Sequence, residues 1–306
     1  MSGCRRQSRR AASPSSIQPQ VVCDQMHGSW ETGRVDLSTA SLPVALTPLG
    51  SREGRPVLVI PGGPCRPPEY LTDFAELGER HPLIVLHPRG TPASGGLSRG
   101  WWTDAEDVVA AIDALGLDAV DIVGHSAGTR LSLAVATRFP GRVRSLALVT
   151  PPATWLTGTA HDGDDLVALR KDPQGLDGYR SVVNDDPQTQ EAFEEVLHRQ
   201  APATYARWTP TEQAHASIGR MNLAAAEAWF RDIPADAVEL IRAASLPPTL
   251  VVGGDVDLLT GRRPVEEYAT RLGAELAMIR DCGHYPWVER PEEFHRVLDA
   301  WLTARA

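Results

Sequence analysis

The chain has no run approaching the ~18 to 20 consecutive apolar residues that a membrane-spanning helix needs, and this argues against a helical membrane protein. Basic charge is not in excess either. Thirty Lys and Arg face 39 Asp and Glu, for a formal net charge of −9. That balance speaks against a general affinity for nucleic acid or for anionic membrane surfaces, which favour clustered Lys and Arg. Cysteine is scarce: Cys4, Cys23, Cys65 and Cys282 lack the spacing of a metal site or a disulfide framework, so free thiols and a reducing cytoplasm are expected. No internal repeat is present. A small molecule or a short peptide remains the natural partner, and no signal of oligomeric state is visible.

What is present begins with residues 1–27, rich in Arg, Ser, Gln and Pro. Arg5-Arg6 and Arg9-Arg10 superficially resemble a targeting signal, but no apolar segment follows them, and a disordered tail is expected, with Met26 as a second candidate start. Beyond it, short apolar runs alternate with amphipathic stretches, the pattern of a mostly parallel sheet with helices on both faces. Candidate strands are 42–46, 57–60, 83–87, 120–123, 146–149, 249–252 and 276–279. Helical stripes run over 103–115, through Val108, Ile112 and Leu115, and over 294–302, through Phe294, Val297, Leu298 and Trp301.

From 151 to 246 buried-looking runs disappear and the segment turns acidic, Gln-rich and helical, as over 187–200 and 214–232. The expected organisation is an α/β core of 28–150 plus 247–306, interrupted by a helical cap at 151–246.

The strongest chemical signal is Val120-Asp121-Ile122-Val123-Gly124-His125-Ser126-Ala127-Gly128, an apolar run breaking into Gly-x-Ser-x-Gly and then into a helical pattern. A strand–turn–helix with small flanking residues lifts a serine hydroxyl clear of the sheet above a helix N-terminus, and Ser126 is the candidate nucleophile. A second copy, Gly96-Leu97-Ser98-Arg99-Gly100, follows turn residues rather than a strand and reads as loop.

A serine needs a base and a carboxylate to orient that base. Val251-Val252-Gly253-Gly254 leads into Asp255-Val256-Asp257, from which Asp257 is taken as the acid with Asp255 as its rival. His284, in Cys282-Gly283-His284-Tyr285-Pro286, is the base. Of the other eight histidines, His125 sits in the Ser126 turn itself, His87 ends a strand, His295 lies in the last helix, and His161, His198 and His215 fall in the cap region, where a structural use is commoner. The oxyanion would be met by the backbone N–H of Ala127 and by that of Gly63 in Pro61-Gly62-Gly63-Pro64. No metal or organic cofactor is required for this chemistry. Trp102 and Trp155, with Trp101 and Trp208 nearby, either line a substrate pocket or pack cap against core, packing being the commoner use. Cys282, two residues from His284, predicts sensitivity to thiol reagents.

With these residues in hand, the chain resembles the α/β-hydrolase superfamily, and within it the proline iminopeptidase group. The resemblance is carried by Pro61-Gly62-Gly63-Pro64-Cys65, Glu69-Tyr70-Leu71 and His87-Pro88-Arg89-Gly90. Pro61, Cys65 and His87 stand where that group has histidine, glycine and aspartate. Its Arg-x-Glu segment, whose acid holds a substrate ammonium, corresponds to Arg220-Met221-Asn222, making Asn222 a candidate substrate contact, with Glu212, Glu227 and Asp232 as alternative acids. The resemblance implies a serine hydrolase that cleaves N-terminal residues. An esterase, lactonase or thioesterase acting on a small metabolite is the alternative, and a non-hydrolytic binding or cyclisation protein on the same fold is a third.

Overall fold

The computed structural model describes residues 42–50 and 53–305, so the expected tail and the first residues of the expected core, 28–41, lie outside the described residues. Seven strands form one sheet: β1 (Ala45–Leu49), β2 (Val57–Ile60), β3 (Leu83–His87), β4 (Val120–His125), β5 (Val143–Val149), β6 (Thr249–Gly254) and β7 (Glu275–Ile279), in the spatial order β1-β3-β2-β4-β5-β6-β7. All pairs are parallel except β1 with β3.

The sequence pattern explains the order. β2, β3, β4 and β6 are buried along their whole length, as strands covered on both faces must be. β1 is half exposed and carries Pro48, which an edge strand tolerates. It begins three residues later than the apolar pattern suggested, because register with β3, Ala45 opposite His87, decides where pairing starts.

Alternation along the strands feeds two cores. Leu58, Ile60, Ile122, Leu146, Leu148 and Val251 point to one face, against α1 (Ala105–Ala114), α2 (Gly128–Arg138) and residues farther along the chain. Val57, Val59, Val123, Ala147, Leu250 and Val252 point to the other, where the C-terminal helix packs Phe294, Leu298 and Trp301. Each of those side chains contributes about 1.5 to 3 kcal/mol of apolar burial.

Between β5 and β6 the chain forms helices joined by loops: α3 (Thr154–Thr157), α4 (Gly163–Val167), α5 (Pro173–Asn184), α6 (Gln190–Gln200), α7 (Pro210–Ala216), α8 (Leu223–Trp229) and α9 (Ala237–Ala243). The helix pattern read over 214–232 is in fact two helices. α7 stops at Ser217, and α8 restarts when the Asn222 side chain accepts the Ala225 N–H at 3.0 Å. The ends of this insertion belong to the core layer, since Ala237 and Ile241 of α9 and Leu156 of α3 are buried in the same cluster as α2. After β6 come α10 (Arg262–Leu272), α11 (Pro286–Glu289) and α12 (Pro291–Thr303), the last opening with Pro291 and two acids, which suit a helix N-terminus.

The connection from β3 back to β4 crosses β2, so chain direction reverses around the β2–β4 pair, where Ile60 lies beside Gly124. Loops leaving neighbouring parallel strands at such a switch point open a crevice at their carboxyl ends.

Candidate active site

β4 delivers its last residues to that crevice. Ser126 sits with φ at 48°, in the left-handed region, at the break between strand and helix. A side-chain-bearing residue is strained there by roughly 1–2 kcal/mol, and neighbouring hydrogen bonds hold it in place. Its N–H donates to the Val149 carbonyl at 2.8 Å, and its own carbonyl accepts from the Thr129 N–H at 2.9 Å and hydroxyl at 2.6 Å. A Cβ on Gly128 would fall on the carbonyls of Ile60 and Pro61, so α2 can lie against the end of β2 only with glycine there. Gly62 is packed as closely: its missing Cβ would stand 2.7 Å from Ser126 Cβ. The elbow and the glycine loop are thus in contact.

The candidate oxyanion donors share a feature. Among the described residues, neither the Gly63 nor the Ala127 N–H donates to a protein acceptor, whereas farther into the helix the amides of Thr129 and Arg130 are spent on Ser126 and Ala127. The Gly63 carbonyl accepts the Arg66 N–H at 3.1 Å. Cys65 follows with φ at 57°, a left-handed residue that accounts for the glycine of the resembled pattern at that place. Burial, with the Asp104 charge adding to it, pushes the Cys65 thiol up to about 12.

The ends of β6 and β7 bring the other two candidates together. His284 Nδ1 lies 2.8 Å from Asp257 Oδ2, and the carboxylate is fully buried. Asp257 also accepts from the Thr260 hydroxyl at 2.6 Å and the Leu259 N–H at 2.9 Å. Burial alone would raise this carboxyl, but the His284 ring, the Thr260 hydroxyl and the Leu259 amide outweigh it and hold it below the usual carboxylate range. Asp255 instead accepts the Cys282 N–H at 3.4 Å. The His284 backbone is anchored at both its polar groups, its N–H donating to the Thr204 carbonyl at 2.9 Å and its carbonyl accepting from the Thr150 hydroxyl and the His125 ring, each at 3.2 Å. His125 and His284 ring centroids are 5.0 Å apart, which puts the candidate base beside the strand–helix turn of Ser126. In this conformation the His284 ring is hydrogen-bonded to Asp257 and not to the Ser126 hydroxyl, and such contacts commonly tighten only with substrate bound.

The candidate substrate contacts are dispersed. Trp102 is buried edge-on against Trp101 within the core, and Trp155 packs 5.5 Å from Trp101 under the Arg130 guanidinium, joining insertion to core. Asn222 is exposed and caps α8, while its neighbour Met221 reaches the glycine loop, its sulfur 3.3 Å from where a Gly63 Cβ would be. Of the alternative acids, Glu212 forms a capping box with Thr209, and Glu227 pairs with Arg231 on the surface. The expected thiol sensitivity needs correction. Cys282 is 0% exposed and its thiol is pushed well up by burial, so reagent cannot reach a thiolate there.

Several contributors escaped sequence reasoning. Glu289 accepts the N–H groups of Gly283 at 3.0 Å and Ala206 at 2.7 Å, clamping the loop of His284 to the insertion. Tyr70 and His125 bond to each other below the glycine loop. Only Thr260, three residues after Asp257, carries a local signal, that of a hydroxyl closing a turn on a carboxylate. Among the described residues no group of three or more His, Cys, Asp or Glu side chains is arranged to hold a metal ion, and no helix is long and apolar enough to cross a membrane.

Comparison with known proteins follows the same lines. The family model described as the alpha/beta hydrolase fold matches residues 55–291. The chain is 28% identical to 2-hydroxymuconate semialdehyde hydrolase of Pseudomonas putida over 266 residues, covering 82% of this chain and 88% of that one. It is 28% identical to 2-hydroxy-6-oxo-2,4-heptadienoate hydrolase of Pseudomonas putida over 277 residues, covering 82% and 90%. Among solved structures, a serine hydrolase from the polyaromatic-hydrocarbon-degrading bacterium Cycloclasticus zankles superposes with a TM-score of 0.61 at 17% identity, covering 85% of this chain and 93% of that one, a likeness of fold. These relatives support the superfamily that the motifs pointed to, and not the proline iminopeptidase group within it. The chain is a hydrolase that belongs to the alpha/beta hydrolase fold family.

Proposed function

We propose that the protein is a serine hydrolase acting through an acyl-enzyme on a small carbonyl-bearing metabolite, with the helical insertion serving as the cap over its site. The observation that carries this reading is the fully buried Asp257 carboxylate bonded at 2.8 Å to His284, on a loop tied to the strained elbow that presents Ser126. Ser126 Oγ attacks the carbonyl carbon as its proton passes to His284 Nε2. Asp257 holds the Nδ1–H and stabilises the imidazolium. The Gly63 and Ala127 N–H groups receive the oxyanion, the leaving group departs with the proton from His284, and water clears the acyl-serine by the same steps in reverse order.

Small-metabolite hydrolysis is favoured over N-terminal peptide cleavage by two features. The relatives carry names such as 2-hydroxymuconate semialdehyde hydrolase and N-formylmaleamate deformylase. An aminopeptidase also needs a free acid to hold the substrate ammonium; here Asn222 caps a helix, Glu212 is spent on a capping box, and the buried Arg66 guanidinium flanks the glycine loop. The buried free thiols Cys65 and Cys282 are in keeping with a cytoplasmic enzyme. The test is turnover of a short-chain p-nitrophenyl ester and of a prolyl arylamide, with Ser126→Ala as control. Ester turnover lost in the variant supports the reading. Arylamide turnover lost in the variant would establish the peptidase instead, and activity unchanged in the variant would remove Ser126 as nucleophile.

A further inference from the structure

A chain of four groups runs beneath the site through side chains that the reaction itself does not use. The Tyr70 hydroxyl lies 2.5 Å from the Gly62 nitrogen and 2.9 Å from His125 Nδ1, and His125 Nε2 lies 3.2 Å from the His284 carbonyl oxygen. Tyr70 is 0% and His125 2% exposed, so water does not compete for these bonds.

The proton positions follow from the chemistry of the ends. A carbonyl only accepts, so His125 Nε2 carries a proton. In a neutral imidazole Nδ1 is then an acceptor, so the Tyr70 O–H donates to it, and the Tyr70 oxygen is left to accept the Gly62 N–H. This single assignment satisfies every member. Neutral His125 is favoured by burial first and by the charges of His284, Arg66 and His215 around it, which together hold its basicity well down. Around Tyr70 the Arg66 guanidinium stacks 4.2 Å from the ring centroid, and His215 Nε2 donates to the Tyr70 carbonyl at 2.6 Å.

We infer that Tyr70 and His125 are positioning residues that fix the oxyanion loop in register with the loop of the base. The inference rests on the serine-hydrolase reading above. Gly62 is held at its N–H by Tyr70, and Gly63 is held at its carbonyl by the Arg66 N–H. The intervening amide, the Gly63 N–H, is left unpaired, and its aim is set by its two pinned neighbours. At the far end of the chain, His125 holds the backbone of His284 itself. Donor and base, which must meet the same tetrahedral centre, are thereby tied through one rigid element whose hydrogen bonds reinforce one another.

The experiment has two arms on the full-length protein. In the first, ester hydrolysis is measured for wild type, Tyr70→Phe, His125→Gln and the double variant. The expected result is a kcat lowered roughly 10- to 100-fold in each single variant, the scale of one impaired oxyanion donor. KM should stay within about twofold, and the double variant should be no slower than the slower single one, because the chain fails as a unit. A Tyr70→Phe enzyme with wild-type kcat, or losses that multiply in the double variant, would overturn the inference. The second arm needs no variant: long-range 15N–1H NMR on the histidine rings of wild type is expected to find His125 neutral and protonated at Nε2 from pH 5 to 9, and an Nδ1–H tautomer or a titration within that range would overturn it. Labelling of Ser126 by a fluorophosphonate separates the two levels. If wild type is not labelled, the serine-hydrolase reading fails; if it is labelled and Tyr70→Phe is unimpaired, only the positioning role fails.

Discussion

Two copies of Gly-x-Ser-x-Gly occupy this chain, and they fold into different things. Around Ser126 the pattern ends a buried strand, turns with the serine at φ 48° and opens an eleven-residue helix. Around Ser98 no strand leads in, and the hydroxyl donates to Asp104 at 2.6 Å while accepting the Gly100 N–H at 3.0 Å. Each serine has a buried carboxylate in its surroundings. The carboxylate near Ser126, that of Asp257, is bonded to the His284 imidazole and makes no bond to the serine, whereas the carboxylate near Ser98 accepts the serine's proton bond directly. A direct bond to a carboxylate closes a turn; an interposed histidine can take up and return a proton.

The largest effect should come from the serines themselves. Ser126→Ala is expected to lower ester kcat/KM by roughly 10³-fold or more, and Ser98→Ala to leave it within about twofold, as parallel assays would reveal; comparable losses would dissolve the distinction. Next come the carboxylates. Asp257→Asn should cost roughly 10³- to 10⁴-fold in kcat by releasing the imidazole from its tautomer, while Asp104→Asn should act on stability and leave kcat near wild type.

A third, smaller difference lies in pH. Burial raises Glu289, under the base loop, from 4.5 to about 8. The native state therefore keeps a proton that the unfolded chain releases, so its contribution to stability is complete below pH 4.5 and declines as pH rises towards 8. Thermal melts of Glu289→Gln between pH 5 and 8 should fall less steeply than those of wild type. Asp257 has the opposite sign: its depressed carboxyl contributes stability above its unfolded value of 3.8, and that contribution is lost as pH falls further. Smallest of all, Ser98→Ala should destabilise by about 1 kcal/mol, the worth of one net hydrogen bond, seen as a midpoint lowered by roughly 2 to 4 °C.

The parts of this contrast that were legible in sequence are those written locally. β2 and β3 were bounded correctly because strands buried on both faces read as unbroken apolar runs. Ser126, Asp257 and His284 were picked out because each follows a strand-like run in the chain order Ser, Asp, His, and the structure places Asp257 2.8 Å from His284 with the His284 ring beside that of His125. β1 was displaced because an edge strand has a weaker pattern, and the 214–232 stretch was not divided because its break depends on an asparagine cap rather than on apolar spacing. Tyr70, His125, Arg66 and Glu289 carry no local signature. Their partners lie from 6 to 219 residues away, or are backbone amides that any sequence possesses. Cys282 misled for the same reason, since proximity to His284 along the chain says nothing about access.

The insertion also holds in place the helix that follows the Asp257 loop. Asp162, buried just before α4, accepts the N–H groups of Arg262 and Arg263 at 2.9 Å each, serving as a borrowed cap for α10, the helix that begins where the Asp257 loop ends. For evolution or engineering by exchange of parts, the seam therefore does not run where the sheet stops. An insertion transplanted from a relative would have to bring its own acceptor for those two amides, or the recipient would lose the footing of the loop that carries Asp257.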